Sequence, residues 1–366
     1  VLDGFMIVLI VALFRAKSTL GDFLKTLITS HPKKLLLYTS LFVGYCLIMT
    51  IEFSCRFYFK HLYESPYKES TYWSPSANIP DSTLGLKLPS DTVITHQYIV
   101  NDTVIYNRHY KIDSLGRREN PNVYPDSIYN QFAMVTGCSF AFGYGLDENN
   151  TLAYYLDSLL AYRGYNYGIS GHGSQQTLAI LQSRNLKTEI QQDNGILVYL
   201  FIDDHIRRLI GSRRLIKMWA RNFPYYTLHG TNLKREGSFW TGRNMLSRLY
   251  LALSESAFIN LFDIDIPWYT SNAHYELFGA VLREAQNEFL KQYPKGRFLV
   301  VIGPNSNLAK GAIKALEANQ ITYLNCSELL NKEEKKYKMH WTEKHPTKAY
   351  YLEVAEAVKT FINASK

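Results

Sequence analysis

The chain has 366 residues, 46% of them hydrophobic and 20% charged, which excludes a disordered or fibrous protein and suits one large domain or two smaller ones. Lys and Arg number 40 against 32 Asp and Glu, a net charge of +8 that fits a partly anionic partner. Four cysteines without a C-x-x-C pair exclude a small disulfide-stapled scaffold and a zinc finger. Aromatic residues reach 14%, with 28 Tyr, a composition suited to a carbohydrate- or membrane-facing protein.

The first residue is Val1, so the sequence reads as a fragment or a processed product. Residues 1–34 are expected to be a truncated membrane and cytoplasmic segment. Within them Phe5 to Phe14 is a short apolar run, and Arg15, Lys17, Lys25, Lys33 and Lys34 follow with Asp22 as the only acid. Leu35 to Ile51 carries no charge. As a helix it spans roughly 25 Å, enough for a bilayer core with snorkelling flanks. Arg56 and Lys60 stand beyond it, and Tyr38, Tyr45, Phe53, Phe57 and Tyr58 suit the interfacial belts. A transmembrane helix is therefore expected over 35–54. The positive charge before it predicts a cytoplasmic N-terminal side and an extracytoplasmic remainder, periplasmic or at the cell surface. No small-x-small site closes the run, which argues against a cleaved signal peptide.

Residues 55–127 read as a linker and a small β-rich region. The stretch 56–82 is rich in Tyr, Ser and Pro and reads as the linker. Thr92 to Val100 and Thr103 to Ile112 are β-branched and aromatic, and Asn101-Asp102 between them predicts a hairpin with positive φ in the turn. Residues 128–366 alternate strand and helix patterns. Phe132 to Thr136 ends at Gly137. Leu152 to Leu160 and Gln175 to Arg184 have helical spacing, and Gly195 to Ile202 is a continuous apolar run. Phe298 to Ile302, Ile321 to Leu324 and the helical Ala349 to Ile362 complete the series. This predicts an α/β fold, a doubly wound parallel sheet with helices on both faces. An insertion is expected at about 205–280, where the alternation fails.

Four places can carry chemistry. Ser139, in Gly137-Cys138-Ser139-Phe140, follows a strand directly, where active sites of open α/β sheets form. A capping serine would look the same. Asn166 to Gly173 is a glycine-rich loop whose N–H groups suit a substrate oxygen, with Gly171 the candidate. A sharp turn without a ligand is the alternative, and the order G-x-x-G-x-G disfavours a dinucleotide loop. Asp203-Asp204-His205 ends the central run. Glu343-Lys344-His345-Pro346 precedes the last helix, and His345 suits a general base oriented by Glu343. Cys138 is expected to pack beneath the site, because neighbouring side chains at a strand end point to opposite faces.

In order and placement these four blocks resemble the SGNH/GDSL hydrolase family, over roughly residues 131–363. Gly137-Cys138-Ser139 is similar to its G-D-S block with Cys for Asp, Asn166 to Gly171 to its N-x-x-x-S-G block, and Glu343-x-His345-Pro346 to its acid and H-P block. Leu84 to Pro89 and Asp113 to Arg117 resemble the segment that precedes block one in membrane-anchored members. The resemblance implies that His345 takes the proton of Ser139, that the serine attacks an ester, and that N–H groups of Ser139 and Gly171 bind the oxyanion. The acyl group then passes to water or to a sugar hydroxyl. Two departures stand out. The third block lacks the asparagine that helps bind the oxyanion, leaving Asp204 and His205, with His205 or a backbone N–H as the substitute donor. The acid is Glu343, two residues before the histidine where many members have three; Thr342 occupies the other spacing.

The expected function is thus a membrane-anchored, extracytoplasmic serine esterase or O-acyltransferase acting on an envelope glycan or another ester. The alternative is a degenerate module of the same fold that binds glycan or a partner protein. No cofactor, metal or nucleic acid is expected, and the oligomeric state is not legible. The basic run Arg207, Arg208, Arg213, Arg214, Lys217 and Arg221 reads as a lid toward an anionic or sugar substrate, a lipid-headgroup contact or a solvated helix face.

Overall fold

A computed structural model describes residues 32–65, 67–303, 308–328, 334–343 and 345–364. The apolar run Phe5 to Phe14 lies outside them. The chain forms two compact units, one running up to Glu64 and including Ser256–Asp263, the other comprising Ser65–Glu255 and Ile264–Lys366.

In the first unit, helix α1 (Pro32–His61) is apolar over Leu36–His61, long and apolar enough to cross a membrane. Leu36, Phe42, Leu47, Ile48 and Phe53 are exposed along it. Glu52, just past the uncharged run, accepts the N–H groups of Ala257 (2.7 Å) and Phe258 (3.1 Å) and the Ser256 hydroxyl (2.8 Å).

The second unit begins with β1 (Glu69–Ser74), β2 (Ile79–Asp81), β3 (Gly85–Lys87), β4 (Thr92–Val100) and β5 (Thr103–Ile112). Asn101 and Asp102 turn β4 into β5 with φ of 47° and 63°, as their short polar side chains allow. The stretch 56–82 is not the plain linker expected from its composition. β1 pairs antiparallel along β4, giving the order β1-β4-β5. Its Tyr and Ser content carries no alternation because the strand is mostly exposed; the free edge of β4 decides its conformation.

The larger sheet is wholly parallel: β6 (Phe132–Gly137), β7 (Arg163–Asn166), β8 (Gly195–Phe201), β11 (Arg297–Ile302) and β12 (Tyr323–Asn325), in the order β12-β11-β8-β6-β7. β9 (Pro224–His229) and β10 (Asn232–Ser238) form a separate hairpin. Strand period two sorts the core into two layers. Phe132, Met134, Leu197, Tyr199, Phe201, Val300 and Ile302 belong to the core packed by helices Ser174–Ser183, Asn272–Gln292 and Ala309–Ala318. Ala133, Val135, Ile196, Val198, Leu200, Leu299 and Val301 belong to the core packed by Leu152–Leu160 and Lys348–Ala364. The sheet is therefore doubly wound, with both faces covered. Numbered within the sheet, its order is 2-1-3-4-5, which puts the topological switch point between β6 and β8 and marks the carboxyl ends of those strands as the crevice for a ligand.

The long connection from β8 to β11 holds the excursion expected near 205–280. It contains Asp204–Ile210, Arg213–Met218, the β9–β10 hairpin, Phe239–Gly242, Asn244–Ser254 and Ala257–Leu261. Regular α/β packing resumes at Asn272, eight residues before the end expected from sequence.

Candidate active site

The site grows from the end of β6. Gly137 has φ 138° and faces the Leu200 carbonyl so closely that a Cβ would stand 2.9 Å from it. Glycine thus lets the chain leave the buried strand sharply and start the short helix α2 (Ser139–Phe142). Ser139 is the first residue of that helix, with its side chain turned toward the strand ends. Cys138 beneath it is fully buried.

The base comes from the loop ahead of the last helix. Met339 N–H donates to the His345 carbonyl, Thr347 N–H to the Tyr337 carbonyl, and Glu343 N–H to the His340 carbonyl, so the loop is closed on itself. His345 Nε2 stands 2.7 Å from Ser139 Oγ. On the other side of the ring, Nδ1 is hydrogen-bonded to Glu343 Oε1, which also accepts the His345 backbone N–H at 3.1 Å. A carboxylate accepts, so Nδ1 carries the proton and Nε2 offers its lone pair to the serine hydroxyl. The unusual spacing and the unusual acid explain each other: the extra methylene of glutamate lets a residue two positions ahead turn back to the ring. Phe140 and Tyr144 flank the imidazole, each with its ring centroid 5.0 Å away.

Burial pushes the Glu343 carboxyl up, but the hydrogen bond and charge of His345 outweigh it and hold the group below its ordinary value. Its second oxygen accepts the Tyr106 hydroxyl at 3.2 Å. Burial first, and the Glu343 charge second, raise the Tyr106 phenol far above its usual range, so it remains a donor. Behind it, His96 shares hydrogen bonds with Tyr110 (3.1 Å) and Tyr106 (3.5 Å) and stacks on Trp73 at 3.6 Å. Burial lowers His96 to about 3, so it is neutral.

Loop Tyr167–Gly173 supplies the opposite wall. Asn166 Nδ2 donates to the Phe142 carbonyl and its Oδ1 accepts Gly168 N–H, pinning the loop to α2. Gly171 has φ +81° against the Trp219 ring, which a Cβ would meet at 3.2 Å. Among the described residues, no hydrogen-bond acceptor takes the N–H of Ser139 or of Gly171. A cavity of about 290 Å³ lies beside the acid and base, lined by Trp73, Asn78, His96, Tyr106, Tyr144 and Ser170 together with Glu343 and His345, with Ser139 and Gly171 not in its wall. The Asn78 Oδ1 is buried without a partner in that wall.

Ser139, His345 and Glu343 are thus brought into one hydrogen-bonded chain, with Gly171 in the facing loop. Asp204 and His205 are not brought to it. Asp204 sits exposed in the first turn of its helix and pairs with Arg208 at 3.5 Å. His205 is fully buried, with Nδ1 2.6 Å from the Tyr199 hydroxyl. The tip of β8 turns straight into a helix, which directs residue 205 inward and corrects the expectation that it replaces the missing donor. The neighbouring Asp203 accepts Leu308 N–H. The basic run is also partly structural. Arg208 is buried and donates to the His172 carbonyl at 2.7 Å, bracing the Gly171 loop, and buried Arg213 donates to the Ile264 carbonyl and Ser254. Arg214, Lys217 and Arg221 remain exposed. Among the described residues, no group of three or more His, Cys, Asp or Glu is placed to hold a metal ion.

Sequence reading missed Tyr106, His96, Trp73 and Asn78. The β-branched and aromatic residues of β5 mark a strand, but do not show that Tyr106 lies against the acid. If Tyr106 holds Glu343, Tyr106→Phe leaves Oε2 buried and unpaired, so kcat of ester hydrolysis is expected to fall roughly 10-fold with KM little changed. Steady-state kinetics on the full chain checks this; an unchanged kcat contradicts it.

Buried histidines also set an acid limit. Burial lowers His96 to about 3 and His172 to about 4, and holds His205 well below its usual range. Their unfolded value lies near 6.5, so between these limits the unfolded chain binds protons that the fold refuses. Stability is full above about 6.5 and is lost as pH falls, by roughly 1.4 kcal/mol per group per pH unit. Thermal unfolding of the full chain between pH 7.5 and 5 should show a steep fall in Tm, shallower in His172→Gln. A flat profile contradicts the assignment.

No family model matches the chain, and no curated protein matches it. Solved structures do. An acetyl xylan esterase from the rumen bacterium Butyrivibrio proteoclasticus is 7% identical over 82% of this chain and 83% of its own, with a TM-score of 0.40. A family two carbohydrate esterase from Cellvibrio japonicus is 10% identical over 81% of this chain and 98% of its own, with a TM-score of 0.38. Likenesses this loose carry no argument about the site, which rests on its own geometry.

Proposed function

We propose that the protein is a membrane-anchored serine esterase or O-acyltransferase of SGNH type, working through Ser139, His345 and Glu343 on the extracytoplasmic side. The single observation that carries the reading is the chain of contacts from Ser139 Oγ through His345 to Glu343, with 2.7 Å between hydroxyl and imidazole. Two unpaired N–H groups, of Ser139 and Gly171, support it.

His345 Nε2 takes the proton as Ser139 Oγ attacks the ester carbonyl, while Glu343 balances the imidazolium charge. The oxyanion is received by the Ser139 and Gly171 N–H groups. Collapse breaks the bond to the leaving alcohol, which takes the proton from His345 and leaves an acyl-serine. A water or sugar hydroxyl then gives its proton to His345 and attacks the acyl carbon; the bond to Ser139 Oγ breaks and the serine oxygen takes that proton back from His345. The small cavity beside His345, walled by Trp73, Tyr106 and Tyr144, suits a sugar or a short acyl group better than a long lipid chain. The helix α1 supplies the anchor, and Lys33 and Lys34 at its start favour the cytoplasmic side there.

The non-catalytic alternative draws on the missing block-three asparagine, since losing one oxyanion donor typically costs about 2.7–4 kcal/mol in the transition state. Hydrolysis of p-nitrophenyl acetate by the full chain, with an acylated glycan offered alongside and an acceptor glycan as control for transfer, separates the two. Serine-dependent turnover of either ester supports the enzyme. Glycan binding without turnover overturns it.

A further inference from the structure

The insertion contains a helix that carries apolar residues on its outer face. In Asn244–Ser254 the residues turned inward include Ser247, Tyr250 and Ser254, all buried. The residues turned outward include Met245, Leu246 and Leu249, exposed at 87%, 39% and 52%. A surface helix of a water-facing domain carries the opposite pattern. Met218, on the short helix packed against it, is 63% exposed, and farther along the chain Trp268 and Tyr269 are 76% and 64% exposed. Exposed apolar side chains gathered on adjoining helices mark a contact.

The chain itself says which contact. Between Leu249 and Trp268 lies Ser256–Asp263, which belongs to the unit of α1 and takes its helix cap from Glu52, the first charge after the apolar run. Leu249 is seven residues from Ser256, and Trp268 five from Asp263. At about 3.3–3.6 Å per residue the tethers are at most roughly 25 Å and 18 Å. Phe258 and Phe262 within that segment are themselves exposed. Arg214 and Lys217 on the adjoining helix, Arg221 just after it and Arg248 on the same helix are also exposed, which complements anionic headgroups. Trp and Tyr beside Leu and Met, rimmed by Arg and Lys, is the composition of a face that lies in the interfacial layer of a bilayer.

We propose that Met245, Leu246 and Leu249, with Trp268 and Tyr269 farther along the chain, rest on the phospholipid surface, a second membrane contact beyond α1. This rests on reading α1 as a spanning helix. The test uses the full chain in vesicles of zwitterionic and anionic phospholipid, with and without acyl chains brominated near the headgroup. Trp268 is one of five tryptophans. Bromination is expected to quench up to about one fifth of the emission in the wild type through Trp268, and Trp268→Phe should lose that component. Equal quenching of both proteins overturns the proposal. A spin label on Met245→Cys, in a Cys46→Ser background, should be relaxed more by oxygen than by a water-soluble nickel chelate. Dominance of the chelate, or dipolar broadening from a second copy covering the face, overturns it as well. An alkaline carbonate wash separates the two readings. Release of the wild type from the vesicles sinks the anchor itself, whereas a retained chain with unquenched Trp268 sinks only the docking face.

Discussion

Replacing Ser139 by Ala is expected to lower kcat for p-nitrophenyl acetate at least about 10³-fold, with KM nearly unchanged and the thermal transition in place. In the proposed mechanism the serine hydroxyl is the only part of the chain of contacts that bonds covalently to the acyl group, so nothing downstream compensates its loss. Cys138 cannot stand in, since it is fully buried on the other side of the turn. The Ala side chain fits without new atoms at a site only 7% exposed, so a loss of activity would not be a loss of fold. Retention of more than a tenth of the wild-type rate in Ser139→Ala would remove the serine from the reaction.

Glu343→Gln should cost between about 10² and 10⁴ in kcat. Glu343 Oε1 accepts two donors from His345, and Oε2 accepts the Tyr106 hydroxyl. If the new NH₂ takes the Oε1 place, it faces two N–H groups. The ring must then shift its proton to Nε2, which can no longer accept from Ser139. If the NH₂ takes the Oε2 place, Tyr106 can rotate its hydroxyl and accept, so the tautomer survives and only the balancing charge is lost. The first arrangement sets the larger figure and the second the smaller. In the double variant Glu343→Gln with Tyr106→Phe the second arrangement loses its acceptor, and the loss should move toward 10⁴. Kinetics of the three variants check the order. A fully active Glu343→Gln would mean that the carboxylate is not part of the machinery.

Much of this architecture is legible because buried parallel strands need little context. Gly195–Phe201 and Arg297–Ile302 are apolar on both faces, as a sheet covered by helices demands, and the hairpin turn at Asn101-Asp102 announces itself by residue type. Ser139 directly follows β6 and His345 lies in the loop ahead of the last helix, and both are singled out by their neighbours in sequence alone. What stayed hidden depends on partners far along the chain. β1 is a strand because β4 offers it an edge. Tyr106 matters because Glu343, 237 positions later, folds against it. His205 looked available because a polar residue at a strand tip often faces a site, yet the helix that starts at Asp204 turns it into the core. The basic run of the insertion reads as a lid, a lipid contact or a solvated face because its charges are visible in sequence, whereas the burial of Arg208 and Arg213 is not.

The central claim is that His345 activates Ser139. It is tested most directly by labelling the full chain with a serine-reactive phosphonate and mapping the adduct by mass spectrometry, in the wild type and in His345→Ala. The account predicts an adduct on the peptide bearing Ser139, formed at least about 10²-fold more slowly when the imidazole is gone. An adduct elsewhere in the chain, or one that forms on Ser139 at the same rate without His345, would contradict it.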